Sequence, residues 1–292
     1  MRVRSIRPCD LPRAAREGWV NTKRRALVED GIAYVPVKEG EPHDLVIPER
    51  KPYRGRGYQL LGDLVLLHGH RPTRREVDEI RAWINPRGIL WIQGIAGSER
   101  SPRIELISGS GGEVHHREYG CTFVLDPARV MYAMGNLSER HRVVQLVGEM
   151  GRAERVGDLF AGIGYFTIPL ARAGCRIHAM EISPVAFGYL ARNIRGNEVS
   201  DRVHAERGDC RDLLRGEYDR LILGHFDAPD YLPDALSHTR SGSVLHLHAL
   251  RDETGRIRSL ARDAGFDASI TTRRVKSYAP YTWHIVQDVT LS

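Results

Sequence analysis

Apolar and polar positions alternate along this chain in two different rhythms. From Ser138 to Met150 apolar residues fall at 143, 144, 146, 147 and 150, the spacing of a helix with one buried face. Short apolar runs then alternate with helical stretches. They predict strands at 155–160, 176–181, 202–206, 219–223 and 243–248. Two further runs, 269–276 and 282–290, predict a terminal antiparallel hairpin turned near Pro280. Strand–helix alternation of this kind predicts an α/β fold, here a mainly parallel seven-stranded sheet with helices on both faces.

The earlier part of the chain reads as smaller α/β units. Arg13–Leu27 is expected to be helical and Ile32–Val37 a strand. A polar, proline-containing stretch from Lys38 to Tyr53 reads as a linker. Leu60–His68 is expected as one strand. A helix over Thr73–Ile84 follows, with Thr73 as N-cap and Glu76 completing a capping box. Ile89–Ile95 and Arg103–Ser108 complete the unit as strands. The expected organisation is an N-terminal α/β segment and linker (1–53), a small α/β domain (54–120) and a Rossmann-like domain (121–292).

Composition sharpens this division. The 292 residues carry a formal net charge of +6, yet residues 1–120 hold 21 Lys+Arg against 16 Asp+Glu, and the remainder is close to balance. A basic module beside a near-neutral one suggests that the first helps to hold a polyanion. Arg54, Arg56, Arg74 and Arg75 are the candidate phosphate contacts. The four cysteines form no CxxC and fit a reducing, cytoplasmic setting. His68/His70 and His115/His116 lack partners at ligand spacing, so no metal is expected. No apolar run reaches the roughly 20 residues that span a bilayer.

The chemistry concentrates at Val156–Ala171, which reads VGDLFAGIGYFTIPLA. A strand ends in Asp158, a turn of small residues follows (Ala161, Gly162, Gly164), and then a helix opens. Glycines there let backbone approach a ligand at the carboxyl end of a strand. Glu181 ends the next strand, where an acid can accept from both ribose hydroxyls of a nucleoside. Asp209 ends the third unit, where a carboxylate can accept from an adenine amino group. Three acids at three successive strand ends describe an adenosine-binding crevice. A dinucleotide site would ask for a third glycine where Thr167 stands.

The form DLFAGIG resembles motif I of the class I S-adenosylmethionine-dependent transferases, and in particular RNA-modifying members. Phe123–Arg142 and Arg274–Val289 extend the likeness to two related families, the archaeal-type tRNA guanine-37 N1-methyltransferases and the wybutosine-synthesizing protein 2 family. The latter are tRNA 4-demethylwyosine aminocarboxypropyltransferases. The resemblance covers about residues 55–292.

Two places separate these families. The methyltransferases carry Pro-Arg-Leu where this chain has Met134-Gly135-Asn136, a form like that of the wybutosine family. After the fourth strand they carry Asn-Leu-Pro, whereas this chain reads Gly224-His-Phe-Asp-Ala-Pro229. The resemblance therefore implies transfer of the 3-amino-3-carboxypropyl group of S-adenosylmethionine to C7 of 4-demethylwyosine at position 37 of tRNA-Phe, releasing methylthioadenosine. Guanine-37 N1-methylation is the first alternative and a catalytically silent tRNA-binding protein the second.

It also implies the site. Cofactor contacts are expected from Arg140 (methionyl carboxylate), Asp158, Phe160, Gly162, Glu181 (ribose), Asp209 and Cys210. Cys210 stands where asparagine is usual and Ala133 where serine is common. RNA contacts are expected from Asn136, Arg54, Arg56, Arg74, Arg75 and Tyr278. His225 and Asp227, with His246 on the adjacent strand, are the candidate bases for removing a ring proton. Trp283 is read as core and His246/His248 as half-buried sheet residues. The expected partner is tRNA alone, bound by a monomer.

Overall fold

A computed structural model describes all residues except 30, 48–52, 97–100, 133, 150, 152 and 280. The expected Pro280 turn, the Ala133 position, the Met150 helix end and part of the Lys38–Tyr53 linker lie outside the described residues. The chain divides into two compact units, Met1–Gly55 and Arg56–Ser292.

In the first unit, strands β1 (Arg2–Ile6), β2 (Leu27–Glu29), β3 (Ile32–Pro36) and β4 (Leu45–Val46) form a sheet in the order β2-β3-β1-β4. The helix expected over Arg13–Leu27 is only Leu11–Ala14 (α1). Val20 bridges to Val37, and Asn21 donates its backbone N–H to Pro36. Pairing with the end of β3 thus overrides helical propensity.

The second unit holds the remaining elements. The run Leu60–His68 is a hairpin rather than one strand: β5 (Gln59–Leu61) and β6 (Leu64–Leu67) pair antiparallel about Gly62-Asp63. Gly62 supplies the positive φ (58°) that a two-residue hairpin turn requires. Helix α2 (Arg74–Ile84) carries the expected capping box on Thr73 and Glu76. It leads into β7 (Gly88–Ala96) and β8 (Ser101–Gly109), completing a sheet in the order β5-β6-β7-β8. A separate hairpin follows, β9 (Val114–Glu118) and β10 (Cys121–Leu125).

The seven-stranded sheet has the expected strands. Its strands are β11 (Arg155–Asp158), β12 (Arg176–Glu181), β13 (Val203–Arg207), β14 (Arg220–Leu223), β15 (Val244–Ala249), β16 (Ala268–Ala279) and β17 (Thr282–Leu291). They run in the order β13-β12-β11-β14-β15-β17-β16, with β17 antiparallel to both neighbours. Helices α3 (Leu137–Glu149), α4 (Thr167–Arg172), α5 (Pro184–Gly196), α6 (Cys210–Leu213), α7 (Leu232–Leu236) and α8 (Thr254–Asp263) connect and cover it. Topology reverses between β11 and β14, and crevices at such a switch point bind ligands at the carboxyl ends of the strands.

Two polar devices hold this arrangement. Asn193 accepts from the Val124 N–H and donates to the carbonyls of Val124 and Ile163, so α5 binds β10 and the glycine turn together. Asn197 treats Thr122 in the same way. The second device is a buried chain of charges. Glu154 holds Arg220 (2.7 Å), Arg220 reaches His246 (2.6 Å), and His246 meets Asp288 (2.6 Å). Asp288 takes Arg142 through both oxygens (2.8 and 2.9 Å), and Arg142 also holds Glu139. This chain runs from β14 through β15 and β17 to the first turns of α3.

His246 and His248 are fully buried (0% and 1% exposed), beyond the half-burial their alternation suggests, because β17 covers that edge of β15. Among the described residues no helix is long and apolar enough to cross a membrane.

Candidate active site

A pocket opens at the carboxyl ends of β11, β12 and β14. It encloses about 1160 Å³ of empty space, its open mouth included. Of the residues expected to bind cofactor, Arg140, Phe160, Gly162, Glu181, Asp209 and Cys210 line it. So do Asn136 and His225.

The glycine turn forms its floor. Gly162 and Gly164 adopt φ of +59° and +103°, and a Cβ on Gly164 would come within 2.8 Å of Ile168. Only glycine gives this turn its conformation and its close packing on α4. Glu181 anchors it from the next strand: one carboxylate oxygen accepts from Gly162 N–H and the other from Ser183 N–H, each at 2.7 Å. Both oxygens are thus oriented at the strand end, where a carboxylate can accept from hydroxyl donors.

Asp209 caps α6, accepts from the Arg211 N–H and is held by the Arg211 guanidinium, which keeps its pKa below the usual range. Burial pushes the Cys210 thiol up to about 12, so it stays protonated and is no nucleophile at neutral pH. Phe160, His225 and Tyr231 make an aromatic wall. Phe160 stacks on His225 (5.3 Å between centroids) and meets Tyr231 edge-on (5.0 Å).

Arg140, which also lines the pocket, sits on the first turn of α3 and is 2% exposed. Its guanidinium lies 4.8 Å over the Tyr165 ring and 3.0 Å from the Glu118 carboxylate. The other Glu118 oxygen accepts from the Tyr132 hydroxyl (2.9 Å), which also meets His116. Nothing local in the sequence marks Glu118 as a partner of this pocket.

The remaining expected residues lie elsewhere. Asp158 is buried beneath the turn and does not line the pocket. It accepts from the Thr167 hydroxyl at 2.7 Å, and burial raises its pKa to about 6. Asp227 is two-thirds exposed (66%) and outside the lining, while its backbone N–H donates to His225 Nδ1 (3.1 Å). That bond leaves the proton of a neutral ring on Nε2. His246 is enclosed by Asp288 and Arg220, away from the pocket.

The arginines divide as well. Arg74 and Arg75 are exposed on α2 and pair with Asp78 and Glu79. Arg56 turns inward, donating to the carbonyls of His68 and His70 beside Glu76. Arg54 belongs to the first unit and is exposed. Trp283, expected in the core, is 40% exposed with Arg274 stacked on it, because its strand end leaves the sheet with the hairpin.

His178, His204 and Glu206 also cluster, away from the pocket. Their atoms satisfy one another, and Arg215 takes the second Glu206 oxygen. Such a neighbouring cation opposes a metal ion.

The donor set fits an adenosine bearing an amino-acid chain: an oriented carboxylate at a strand end, a glycine floor, an aromatic wall and a buried arginine. The family model of the TRM5/TYW2 methyltransferase domain matches residues 114–268. A tRNA(Phe) (4-demethylwyosine(37)-C(7)) aminocarboxypropyltransferase from Methanocaldococcus jannaschii is 33% identical over 247 residues, covering 80% of this chain and 97% of that protein. The chain belongs to the TRM5/TYW2 family.

Solved structures of TYW2 and Trm5b agree. The M. jannaschii TYW2 complex with AdoMet matches with TM-score 0.65 and 29% identity, over 81% of this chain and 99% of that one. The P. horikoshii TYW2 complex with MeSAdo matches with TM-score 0.69 and 28% identity, over 82% and 92%. Trm5b from Pyrococcus abyssi matches with TM-score 0.72 and 26% identity, over 99% of each chain. The glycine turn, Glu181 and the Glu118–Arg140 pair all fall within the span matched by the TRM5/TYW2 model.

Proposed function

We propose that this chain transfers the 3-amino-3-carboxypropyl group of S-adenosylmethionine to C7 of 4-demethylwyosine at position 37 of tRNA-Phe. The observation that carries this reading is the match to an aminocarboxypropyltransferase along 97% of that relative's length. The segment after β14 supports it: residues 224–229 contain no asparagine, and so no carboxamide to accept a hydrogen bond from a methyl-accepting nitrogen.

S-adenosylmethionine supplies a sulfonium whose attached carbons are all electrophilic. The work of the protein is therefore to choose among them by orientation. Glu181 and Asp209 hold the nucleoside half, Gly162 lets it approach the backbone, and Arg140 takes the carboxylate of the amino-acid chain. Asp158, from below, sets the glycine turn through Thr167. Asn136 and Tyr278 meet the RNA at the mouth. Arg54, Arg74 and Arg75 supply phosphate contacts.

The step joins C7 of the base to the γ-carbon and breaks the γ-carbon–sulfur bond. The electron pair leaves with methylthioadenosine, and the ring proton passes to a base or water. His225 is the pocket residue placed to assist that proton, with its tautomer set by Asp227 N–H. The proposed working unit is a monomer on tRNA.

Guanine-37 N1-methylation is the second reading. It is favoured by the span of the Trm5b likeness, which covers 99% of this chain and so includes Met1–Gly55. One incubation separates the two. With S-adenosylmethionine and tRNA-Phe carrying 4-demethylwyosine, the expected products are methylthioadenosine and an RNA heavier by the aminocarboxypropyl group. Release of S-adenosylhomocysteine with methylation of guanine 37 in unmodified tRNA would establish the second reading instead.

A further inference from the structure

The β16–β17 hairpin runs past the sheet and ends beside the pocket mouth. Lys276 lies against Gly135, next to the pocket residue Asn136: a Cβ on Gly135 would fall 2.5 Å from Lys276 Cδ. Tyr278 and His284 both meet Phe226 edge-on, at 5.1 and 5.0 Å, and Phe226 follows the pocket residue His225.

Three aromatic rings on this tip face solvent. Tyr281 is fully exposed (104%), Tyr278 is 52% exposed and Trp283 40%. Backbone irregularities present two of them. Tyr281 sits at φ +60°, uncommon for a residue with a Cβ. Tyr278 is the extra residue of the bulge between Ser277 and Ala279, and a bulge re-aims the side chain it carries. Such features persist where the surroundings maintain them, and they cluster at ligand contacts.

The segment that carries the rings is basic, with Arg273 held by Asp288 (3.5 Å) at its far end. Residues 273–286 hold Arg273, Arg274 and Lys276 and no Asp or Glu. Arg274 lies over the Trp283 ring at 5.1 Å. Exposed aromatic rings beside cations match unpaired bases on a phosphate backbone better than a lipid surface or an apolar protein face.

We infer that the tip of the β16–β17 hairpin is a stacking arm for single-stranded RNA, with Tyr281 taking an unpaired base next to the nucleotide held in the pocket and Lys276 a flanking phosphate. This rests on the tRNA reading above and adds to it the surface that receives the loop. Base stacking is sequence-tolerant, so the arm would hold the loop open while the pocket selects its one nucleotide.

The test measures binding of the full chain to a labelled anticodon stem–loop of tRNA-Phe across a salt series, with a fully paired RNA hairpin as control. Tyr281→Ala is expected to weaken stem–loop binding roughly tenfold, with an unchanged salt slope and little effect on the paired control. Tyr281→Phe should bind within about twofold of the parent, since the stacking face remains. Lys276→Ala should instead lower the salt slope by about one. Unchanged affinity of S-adenosylmethionine in each variant shows that the fold is intact. Stem–loop binding by Tyr281→Ala equal to the parent's would overturn the arm and leave the tRNA reading standing. No binding of the stem–loop or of whole tRNA by the parent protein would overturn both.

Discussion

Glu118 holds Arg140 at 3.0 Å, and both side chains are buried (3% exposed each). The pair joins the β9–β10 hairpin to the first turn of α3 and aims a guanidinium along one end of the pocket. A buried arginine without its carboxylate is costly, so Glu118 both neutralises and orients Arg140. Glu118→Gln is expected to weaken S-adenosylmethionine binding about tenfold, the effect of a lost charged hydrogen bond. Methylthioadenosine has no carboxylate and should bind within about twofold of the parent. Calorimetry with the two ligands checks this. Equal losses for both would mean that Glu118 serves the fold and not the orientation of Arg140.

Glu181 behaves differently because the ribose is common to both ligands. Its two oxygens already carry Gly162 and Ser183 N–H groups. Glu181→Ala should therefore weaken S-adenosylmethionine and methylthioadenosine alike, each by roughly ten- to a hundredfold. Unchanged affinity for either would show that the ribose lies elsewhere.

Asp158 predicts a pH dependence of stability. Burial raises its pKa from 3.8 to about 6, so the folded protein binds this proton more tightly than the unfolded chain does. The contribution of this group is most favourable below about pH 4 and declines as pH rises through about 6. Asp158→Asn keeps an acceptor for Thr167 and removes the buried charge. It should stabilise the fold at about pH 7.5 by about 3 kcal/mol, read as a higher melting temperature, and leave it nearly unchanged at about pH 4. A lower melting temperature for the variant at both pH values would contradict this account.

Asp288 carries the opposite sign. Although burial opposes its charge, His246 and Arg142 hold it well below the usual carboxylate range. Its stabilisation is present above the ordinary Asp pKa and is lost as pH falls through the lowered one. Asp288→Asn should destabilise the fold by about 3 kcal/mol in urea titrations near neutral pH, because Arg142 is left without part of its charge partner. His246→Gln should reduce stability while sparing turnover per folded molecule. Loss of turnover with stability intact would assign His246 to the chemistry.

His225 and Asp227 are separated by exposure. His225 lines the pocket, whereas the Asp227 carboxylate is 66% exposed outside it. His225→Gln is expected to lower kcat by about a hundredfold with S-adenosylmethionine affinity retained. Asp227→Asn keeps the backbone N–H that sets the ring and should stay within about threefold of the parent. Steady-state rates with modified tRNA distinguish them.

Local signals were legible wherever chemistry and geometry lie close in sequence. The glycine turn, Glu181 and Asp209 could be placed because each strand's apolar run shows where its carboxyl end falls. The capping box at Thr73 and Glu76 is equally local. Reading failed where pairing competes with propensity. Residues 13–27 have helical spacing, yet Val20 and Asn21 are claimed by the end of β3. The run at Leu60 is apolar on both sides of Gly62-Asp63, and the turn there rests on a single glycine at φ 58°.

The amino-acid sequence by itself determined the α/β class, the number of strands in the large sheet, the glycine turn after the first of them and the family of the chain. These follow from periodicity and from residues within one strand–turn–helix unit. Only the tertiary structure decided that Glu118 belongs to Arg140, that Arg142 meets Asp288 across 146 positions, and that Trp283 leaves the core for the surface. Those outcomes depend on which strands become neighbours and on where bulges turn the chain. Charge pairs between distant segments exist only once β13-β12-β11-β14-β15-β17-β16 has assembled, and no local pattern encodes the distance between them.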